Sequence, residues 1–266
     1  MDAKLKGKTA LVTGGCSGIG RQIARALAEE GVAVAIADLK PDPTMVEEFT
    51  QWGVPCHLIP CDVSVEKNVN AMVSEAIAKL GKLDFYINNA AAALHQPATK
   101  ITTEAWHTVL NTNLAACVWG CREASRHMIA RGGGGILIVG STSIYTPGPA
   151  ETVYRISKLG LKSLSQSLAI ELAPFHIRVN LLVPGHYQTR LTAGIPPEIE
   201  AKLIQQIPLR RFGNLRECGC AAVMLLSDEL SGYTTGAELV VDGGLHLRTL
   251  HFLSDEKLAA LNQAEA

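Results

Sequence analysis

The chain has almost no excess of either charge: 24 Lys and Arg stand against 25 Asp and Glu, a formal net charge of −1 over 266 residues. That balance excludes the basic surplus by which nucleic-acid binders hold phosphate. With 47% apolar residues it also lacks the composition of a disordered chain. No apolar run reaches the ~20 residues needed to cross a bilayer, so no membrane partner is expected. The start, Met1-Asp2-Ala3-Lys4-Leu5-Lys6-Gly7-Lys8, lacks the apolar stretch of a secretory signal. The seven cysteines (Cys16, Cys56, Cys61, Cys117, Cys121, Cys218, Cys220) are odd in number and form no C-x-x-C pair. They read as buried or semi-exposed thiols in a reducing compartment rather than as disulfides or metal ligands, which makes the cytoplasm the expected location. No repeat and no interdomain linker interrupts the pattern, and the length suits a single α/β domain.

What is present is a catalytic pattern. The segment Gly135-Ile136-Leu137-Ile138-Val139-Gly140-Ser141 reads as a buried strand delivering a serine to its C-terminal end. Thirteen residues later comes Tyr154-Arg155-Ile156-Ser157-Lys158, in a segment of helical periodicity. Positions i and i+4 share one helix face, so the phenol and the ammonium point into the same space. A free tyrosine titrates near ~10 and is a poor base at neutral pH. A neighbouring ammonium favours the phenolate, and a shift of ~3 units corresponds to roughly 4 kcal/mol. The triplet is thus suited to moving a proton on or off an alcohol oxygen. Amphipathic helices also present Tyr and Lys at this spacing without any such role, so the weight rests on three further features.

The first is Thr13-Gly14-Gly15-Cys16-Ser17-Gly18-Ile19-Gly20, directly after the apolar run Thr9-Ala10-Leu11-Val12 and before a helical pattern with Ile23, Ala26 and Leu27 on one face. A strand, a glycine-rich turn and a helix N-terminus make a site for pyrophosphate. The spacing is G-x-x-x-G-x-G, with Gly14 for the tight turn, Gly18 for backbone approach and Gly20 for helix–sheet contact. The second is Asp38, which closes the next strand 18 residues after Gly20 and is placed to accept hydrogen bonds from an adenosine ribose diol. A 2′-phosphate there would meet like charge, with Lys40 the nearest positive candidate, so NAD(H) is read over NADP(H). The third is a pair of strand ends: Cys61-Asp62-Val63, where Asp62 faces the adenine amine, and Asn88-Asn89-Ala90, at the lip where open α/β sheets bind ligands.

From about residue 5 to 244 these motifs resemble the short-chain dehydrogenase/reductase family. Its T-G-x-x-x-G-x-G falls on Thr13 to Gly20, its N-N-A-G on Asn88-Asn89-Ala90-Ala91, its Y-x-x-x-K on Tyr154 and Lys158, and its closing D-G-G on Asp242-Gly243-Gly244. The resemblance implies Asn113, Ser141, Tyr154 and Lys158 as catalytic residues. The cofactor set it implies is Gly14, Cys16, Ser17, Gly18, Ile19, Gly20, Asp38, Leu39, Asp62, Val63, Asn89, Ala90, Tyr154, Lys158, Pro184, Gly185 and Thr189, with Thr189 facing the nicotinamide carboxamide. Tyr154 would take the hydroxyl proton, Lys158 would keep the phenolate accessible, Ser141 would orient the substrate oxygen, and Asn113 would hold a water linking Lys158 to solvent. Two departures stand out. Ala91 occupies the usual glycine position, which would cost about a kcal/mol if positive φ is required there. Ser143 stands near a position where relatives often have a second serine, and is a candidate substrate contact.

Alternating strand and helix patterns predict a doubly wound Rossmann-type α/β domain over residues 1–244 with a seven-stranded parallel sheet. Strands are expected near 9–13, 32–38, 55–61, 83–88, 135–141, 177–183 and 237–241, and two long helices near 103–130 and 150–173. The glycines 132–135 are expected to form a flexible turn. A substrate lid is expected over about 186–212, through Tyr187, Gln188, Leu191, Ile195, Pro196, Pro197, Leu203 and Ile204. His95, His186 and Gln188 lie near the expected pocket and tilt the substrate toward a sugar or polyol, with solvent-facing rim positions the competing reading for each. Arg210 and Arg211 are candidates to recognise a carboxylate or phosphate, with solvent-facing positions the preferred reading for two adjacent arginines. Residues 245–266 form an extension in which Ser254 to Leu261 suggest a capped helix that packs at a subunit interface, with a frayed terminus the competing reading. A homotetramer or homodimer is implied by the resemblance, with Cys117, Val118 and Cys121 lending small apolar surface to the contact. Against an NAD-dependent alcohol or sugar dehydrogenase stand two alternatives: a reductase of a hydrophobic ketone, steroid or 3-oxoacyl thioester, and an NAD(H)-binding protein without turnover.

Overall fold

The computed structural model describes residues 2–189, 194 and 196–247. Seven strands, β1 (Thr9–Thr13), β2 (Ala33–Asp38), β3 (Cys56–Pro60), β4 (Phe85–Asn88), β5 (Gly134–Val139), β6 (Ile177–Pro184) and β7 (Glu238–Val241), form one sheet. The order is β3-β2-β1-β4-β5-β6-β7 and every pairing is parallel. Parallel strands need crossover helices, and these bury both faces of the sheet. That is why β1 and most of β2 read as unbroken apolar runs.

One face carries α1 (Gly18–Glu29), α2 (Thr44–Thr50) and, later in the chain, α8 (Leu215–Leu226). Ile23 and Leu27 of α1 are wholly buried there with Cys218 and Ala222 of α8. The other face carries α3 (Glu66–Leu80), α5 (Ala116–Arg131) and α6 (Thr152–Leu172), around Val69, Met72, Met128 and Leu161. Between β4 and α5 lie α4 (Thr103–Leu110) and a π-helical turn, Asn111–Ala115. The long helix expected near 103–130 is therefore broken at Asn113, the kind of irregularity that concentrates at functional sites. After β6 comes α7 (Pro197–Gln206), in the expected lid.

Three expectations need correction. Gly134 and Gly135 belong to β5, not to a flexible turn; a Cβ at Gly134 would come 2.6 Å from Met128 Sδ and 3.0 Å from the Asp84 carbonyl oxygen. Cys117 and Cys121 face the core and not a subunit interface, at 0% and 1% exposure. The cause is the small-residue stripe of α5, which receives Tyr86; a Cβ at Gly120 would overlap the Tyr86 hydroxyl. Val118, on the opposite side, is exposed. Tyr187 is likewise no mobile lid residue: it is 3% exposed, donates to the Val241 carbonyl at 2.9 Å and bridges to Gly213. Tyr187 and Gly213 thus hold together the two ends of the segment expected to form the lid. Leu191, Ile195 and the Ser254 to Leu261 segment lie outside the described residues.

All seven cysteines are free, six of them buried and Cys220 exposed. Among the described residues no helix is long and apolar enough to cross a membrane, and no group of three potential ligands could hold a metal ion.

Candidate active site

The chemistry gathers at the C-terminal ends of the strands, where the sheet opens between β1 and β4. The turn after β1 is built by hydrogen bonds. Thr13 Oγ1 donates to the Ile87 carbonyl at 3.3 Å and accepts from the amides of Asn89 (3.0 Å) and Ala90 (3.1 Å). The Asn89 side-chain amide donates to the carbonyls of Thr13 (2.9 Å) and Gly14 (3.1 Å). Asn89 therefore holds the glycine-rich turn in shape, and its side-chain donors are spent on that task. Gly14 has φ +63 and Gly18 φ +54, a region closed to most side chains. Gly20 presses on the turn; a Cβ there would overlap the Gly14 carbonyl oxygen and the Asn89 amide nitrogen.

The first turn of α1 offers backbone amides with no acidic side chain among them. Ser17 stands at its N-cap without making a capping hydrogen bond, which leaves its hydroxyl and the helix dipole to an anion. Thr189 lies against Gly18, its methyl 3.4 Å from where a Cβ would stand. This cradle fits a dinucleotide pyrophosphate. Asp38 then sits at its rim, accepting from the Cys16 amide at 3.1 Å and the Lys40 amide at 3.0 Å. Leu39 is exposed beside it, Asp62 is exposed and accepts from the Ser64 amide and hydroxyl at 2.9 and 2.7 Å, and Val63 is buried. A cation that the motif reading overlooked is also near: Arg21 of α1. It is held by Asp42 at 3.1 Å and Glu48 at 2.7 Å, and Arg25 also binds Glu48. Lys40 is thus not the only positive group to weigh, but Arg21 is already spoken for by two carboxylates.

Across the sheet opening, Ser141 ends the β5 run and its Oγ accepts from the Ser143 amide at 3.2 Å. Tyr154 and Lys158 rise from α6 beside it, with Lys158 Nζ 5.6 Å from the Tyr154 ring centre. Lys158 is 2% exposed and donates to the Val139 carbonyl at 3.0 Å. Burial pushes its ammonium down to about 8. Tyr154 departs from expectation. Its phenol stands above the ordinary value because burial disfavours the phenolate; a hydrogen bond with Ser141 pulls it down and the Glu151 carboxylate pushes it up. The group that opposes burial is Ser141, not Lys158. The lysine's own charge is disfavoured by burial, and one of its three donors is directed at Val139.

Asn113 is wholly buried and makes three contacts: it accepts from the Ala92 amide at 2.7 Å and donates to the Ala92 carbonyl and the Ser157 hydroxyl, both at 3.0 Å. Ser157 in turn donates to the Tyr154 carbonyl at 2.6 Å. The amide thus ties the 90–92 loop to the turn of α6 that carries Tyr154 instead of presenting two free donors to a water. Ala91 does not adopt positive φ, so the substitution carries no backbone strain.

On the substrate side, the Ser143 hydroxyl is buried with no hydrogen-bond partner. His186, half-buried after the Pro184-Gly185 turn, is held below its ordinary pKa by burial. Gly185 lies so close to Asp242 that a Cβ would come 2.6 Å from the Asp242 Cβ. Two candidates take solvent-facing positions: His95 is exposed, and Gln188 is exposed with its amide donating to Glu200 at 3.1 Å. Arg211 is exposed and paired with Glu217 at 2.6 Å. Glu151, which the motifs did not single out, stands one turn before Tyr154. Its offset of three residues from Tyr154 is the signal that would have found it.

Comparison with known proteins agrees with this geometry. The family model described as Enoyl-(Acyl carrier protein) reductase matches residues 14–246. The chain is 34% identical over 247 residues to the 3-oxoacyl-(acyl-carrier-protein) reductase FabG of Chlamydia pneumoniae, covering 92% of this chain and 99% of that protein. A crystal structure of a putative short-chain alcohol dehydrogenase from Sinorhizobium meliloti 1021 superposes with a TM-score of 0.90 at 32% identity, covering 94% of this chain and 100% of that one. A gluconate 5-dehydrogenase from Burkholderia cenocepacia J2315, in complex with NADP and tartrate, superposes with a TM-score of 0.88 at 30% identity, covering 93% and 98%. The chain belongs to the short-chain dehydrogenase/reductase family. It is an oxidoreductase of the kind that uses a nicotinamide cofactor on a small-molecule substrate.

Proposed function

We propose that the protein is an NAD(H)-dependent dehydrogenase that interconverts a secondary alcohol, of the sugar or polyol class, and its carbonyl. The observation that carries the cofactor choice is the carboxylate of Asp38, bound to the Cys16 amide in the pyrophosphate turn. A ribose diol donates to such a carboxylate, whereas a 2′-phosphate would meet its charge and that of Asp42, with Arg21 already paired. The glycine-rich turn, Asp38, Asp62, the 89–90 loop, the 184–185 turn and Thr189 would hold the cofactor, which would supply the hydride chemistry. Tyr154 removes the hydroxyl proton in the oxidative direction. Ser141 orients the alcohol oxygen and stabilises its developing charge. Lys158, 5.6 Å from the Tyr154 ring centre, would meet the nicotinamide ribose. Asn113 positions the turn of α6 that carries Tyr154.

For the substrate, the support is the buried hydroxyl of Ser143 without a partner, since buried polar groups ordinarily find one and a hydroxylated ligand would provide it. The second reading, reduction of a 3-oxoacyl thioester, is favoured by the likeness to FabG. A homo-oligomeric, cytoplasmic enzyme is part of the proposal. Val118 and Ile129 of α5 and Ile156 and Leu159 of α6 leave apolar side chains exposed on the two long helices, and sedimentation would measure the assembly. Initial rates with NAD⁺ and NADP⁺ across sugars, polyols and simple secondary alcohols test the whole. Turnover with NAD⁺ at kcat/KM at least ~10-fold above NADP⁺, a difference of about 1.4 kcal/mol, is expected. A preference for NADP⁺, or activity confined to 3-oxoacyl thioesters, would replace this reading with the second.

A further inference from the structure

Glu151 is an acid at the catalytic tyrosine's side for which the reaction has no use. It stands at the start of α6, three residues before Tyr154, so the two side chains leave the same part of the helix surface. The turn that delivers it is tightly specified. Ala150 is left-handed at φ 61, and its carbonyl accepts from the Gln96 amide at 3.0 Å. A strained alanine persists only where its surroundings fix it. The carboxylate folds against Gly148, where a Cβ would come 2.8 Å from Oε2. Glu151 is half-buried, and among the described residues no hydrogen bond or ion pair engages its carboxylate. The cation nearest on its own helix, Arg155, is turned to the carbonyls of Ser143 (2.8 Å) and Ile144 (3.2 Å).

The same carboxylate acts electrostatically on Tyr154 from α6 and on His186 from the end of β6, and Asp242 from the end of β7 acts on His186 as well. Ser141 and Lys158 stand with them beside Tyr154, Arg155 lies against Ser143, and His246 faces Asp242. Burial holds His186 below its ordinary value, and of the two carboxylates that act on it Asp242 is engaged by the His246 ring at 2.9 Å while Glu151 is not engaged among the described residues. It also holds the unpartnered hydroxyl of Ser143, itself 7% exposed.

We propose that Glu151 is a specificity-determining residue whose carboxylate accepts a hydrogen bond from a substrate hydroxyl beside the reacting carbinol, selecting neutral polyhydroxylated substrates over sugar acids. This rests on the polyol reading given above and narrows it. A carboxylate accepts and never donates, so hydroxyl groups satisfy it while a substrate carboxylate is repelled. A site built to bond a substrate group discriminates strongly against an analogue that cannot supply it. The gluconate 5-dehydrogenase that this fold resembles acts, by its name, on a sugar acid, and on this proposal the present chain differs from it in substrate charge.

The test compares kcat/KM with NAD⁺ for a neutral alditol and for the aldonate of the same length and configuration, in the wild type, Glu151→Gln and Glu151→Ala. The wild type should favour the alditol. Glu151→Gln should raise KM for the alditol by ~10-fold and improve the aldonate, narrowing the ratio by ~100-fold. It should also move the alkaline rise of kcat/KM to lower pH, because the charge that opposes the Tyr154 phenolate is gone. Glu151→Ala should narrow the ratio in the same direction, and thermal melting of each variant separates loss of fold from loss of selection. A wild type that favours the aldonate, or a ratio and pH profile unmoved in folded variants, overturns the role of Glu151 while leaving the polyol reading standing. A wild type that oxidises neither compound with NAD⁺ overturns the polyol reading, and the proposal falls with it.

Discussion

The two halves of the active site are built by different means. The cofactor half, at the ends of β1 to β4, is a lattice of committed groups: Thr13 and Asn89 together make five hydrogen bonds with the backbone around the pyrophosphate turn. Its shape is fixed by glycines with no room for a Cβ. The substrate half, at the ends of β5 to β7, keeps polar groups uncommitted: the Ser143 hydroxyl has no partner and no hydrogen bond engages the Glu151 carboxylate among the described residues. The first half recognises a molecule common to many enzymes and can be rigid. On the proposed function the second would exchange its hydrogen bonds with one particular substrate, which the Ser143 hydroxyl and the Glu151 carboxylate would meet on binding.

The sharpest way to break the comparison is to intrude on the rigid half. Gly20→Ala places a methyl on the Gly14 carbonyl and the Asn89 amide, neither of which can yield without opening the turn. NADH affinity should fall by ~100-fold or more, about 2.7 kcal/mol, measured by fluorescence titration. An affinity within threefold of wild type would show that the turn is softer than its packing implies. Asp38→Asn retains the shape and removes the charge. The NAD⁺ to NADP⁺ ratio of kcat/KM should fall by roughly 10- to 50-fold, and an unchanged ratio would mean that Asp38 does not set the preference.

Lys158 gives a smaller, pH-dependent effect. Its pKa falls from 10.5 to about 8 through burial. Below about pH 8 the folded protein holds a desolvated charge that the unfolded chain holds in water. Between about 8 and 10.5 the unfolded chain binds more protons, so stability rises with pH through that window. Lys158→Met removes the buried charge and also the bond to Val139. At pH 7 we expect a net gain of about 1–2 kcal/mol, or a Tm several degrees higher, with turnover abolished. The gain should fade as pH approaches 10.5, and calorimetry at two pH values measures it. The smallest effect belongs to Ala91→Gly. Ala91 is not left-handed, so the change relieves no strain; it should alter stability and NADH affinity by less than about 1 kcal/mol.

The same contrast explains what was legible in the sequence. The strands lie within two or three residues of their expected positions because buried parallel strands are unbroken apolar runs between turn residues. The glycine turn and the Tyr154–Lys158 pair were legible because each is a local spacing. What failed was tertiary. Cys117 and Cys121 are small and apolar, and spacing alone did not say that Tyr86 fills the groove beside them. The side chain of Asn113 was legible as important, but its task, joining Ala92 to Ser157, needs three segments in register. The influence of Lys158 on Tyr154 was inferred from proximity, yet burial dominates both groups. Glu151 escaped because it belongs to no motif; only the positions of Tyr154 and His186 give it meaning.

The measurement that bears most directly on the account is made on Tyr154→Phe, with turnover and NADH binding followed in the same preparation. If Tyr154 moves the proton in a site whose cofactor half stands independently, turnover on the best alcohol should fall by ~10³-fold or more while the NADH dissociation constant stays within about threefold. Turnover retained within tenfold, or NADH binding lost together with turnover, would contradict it.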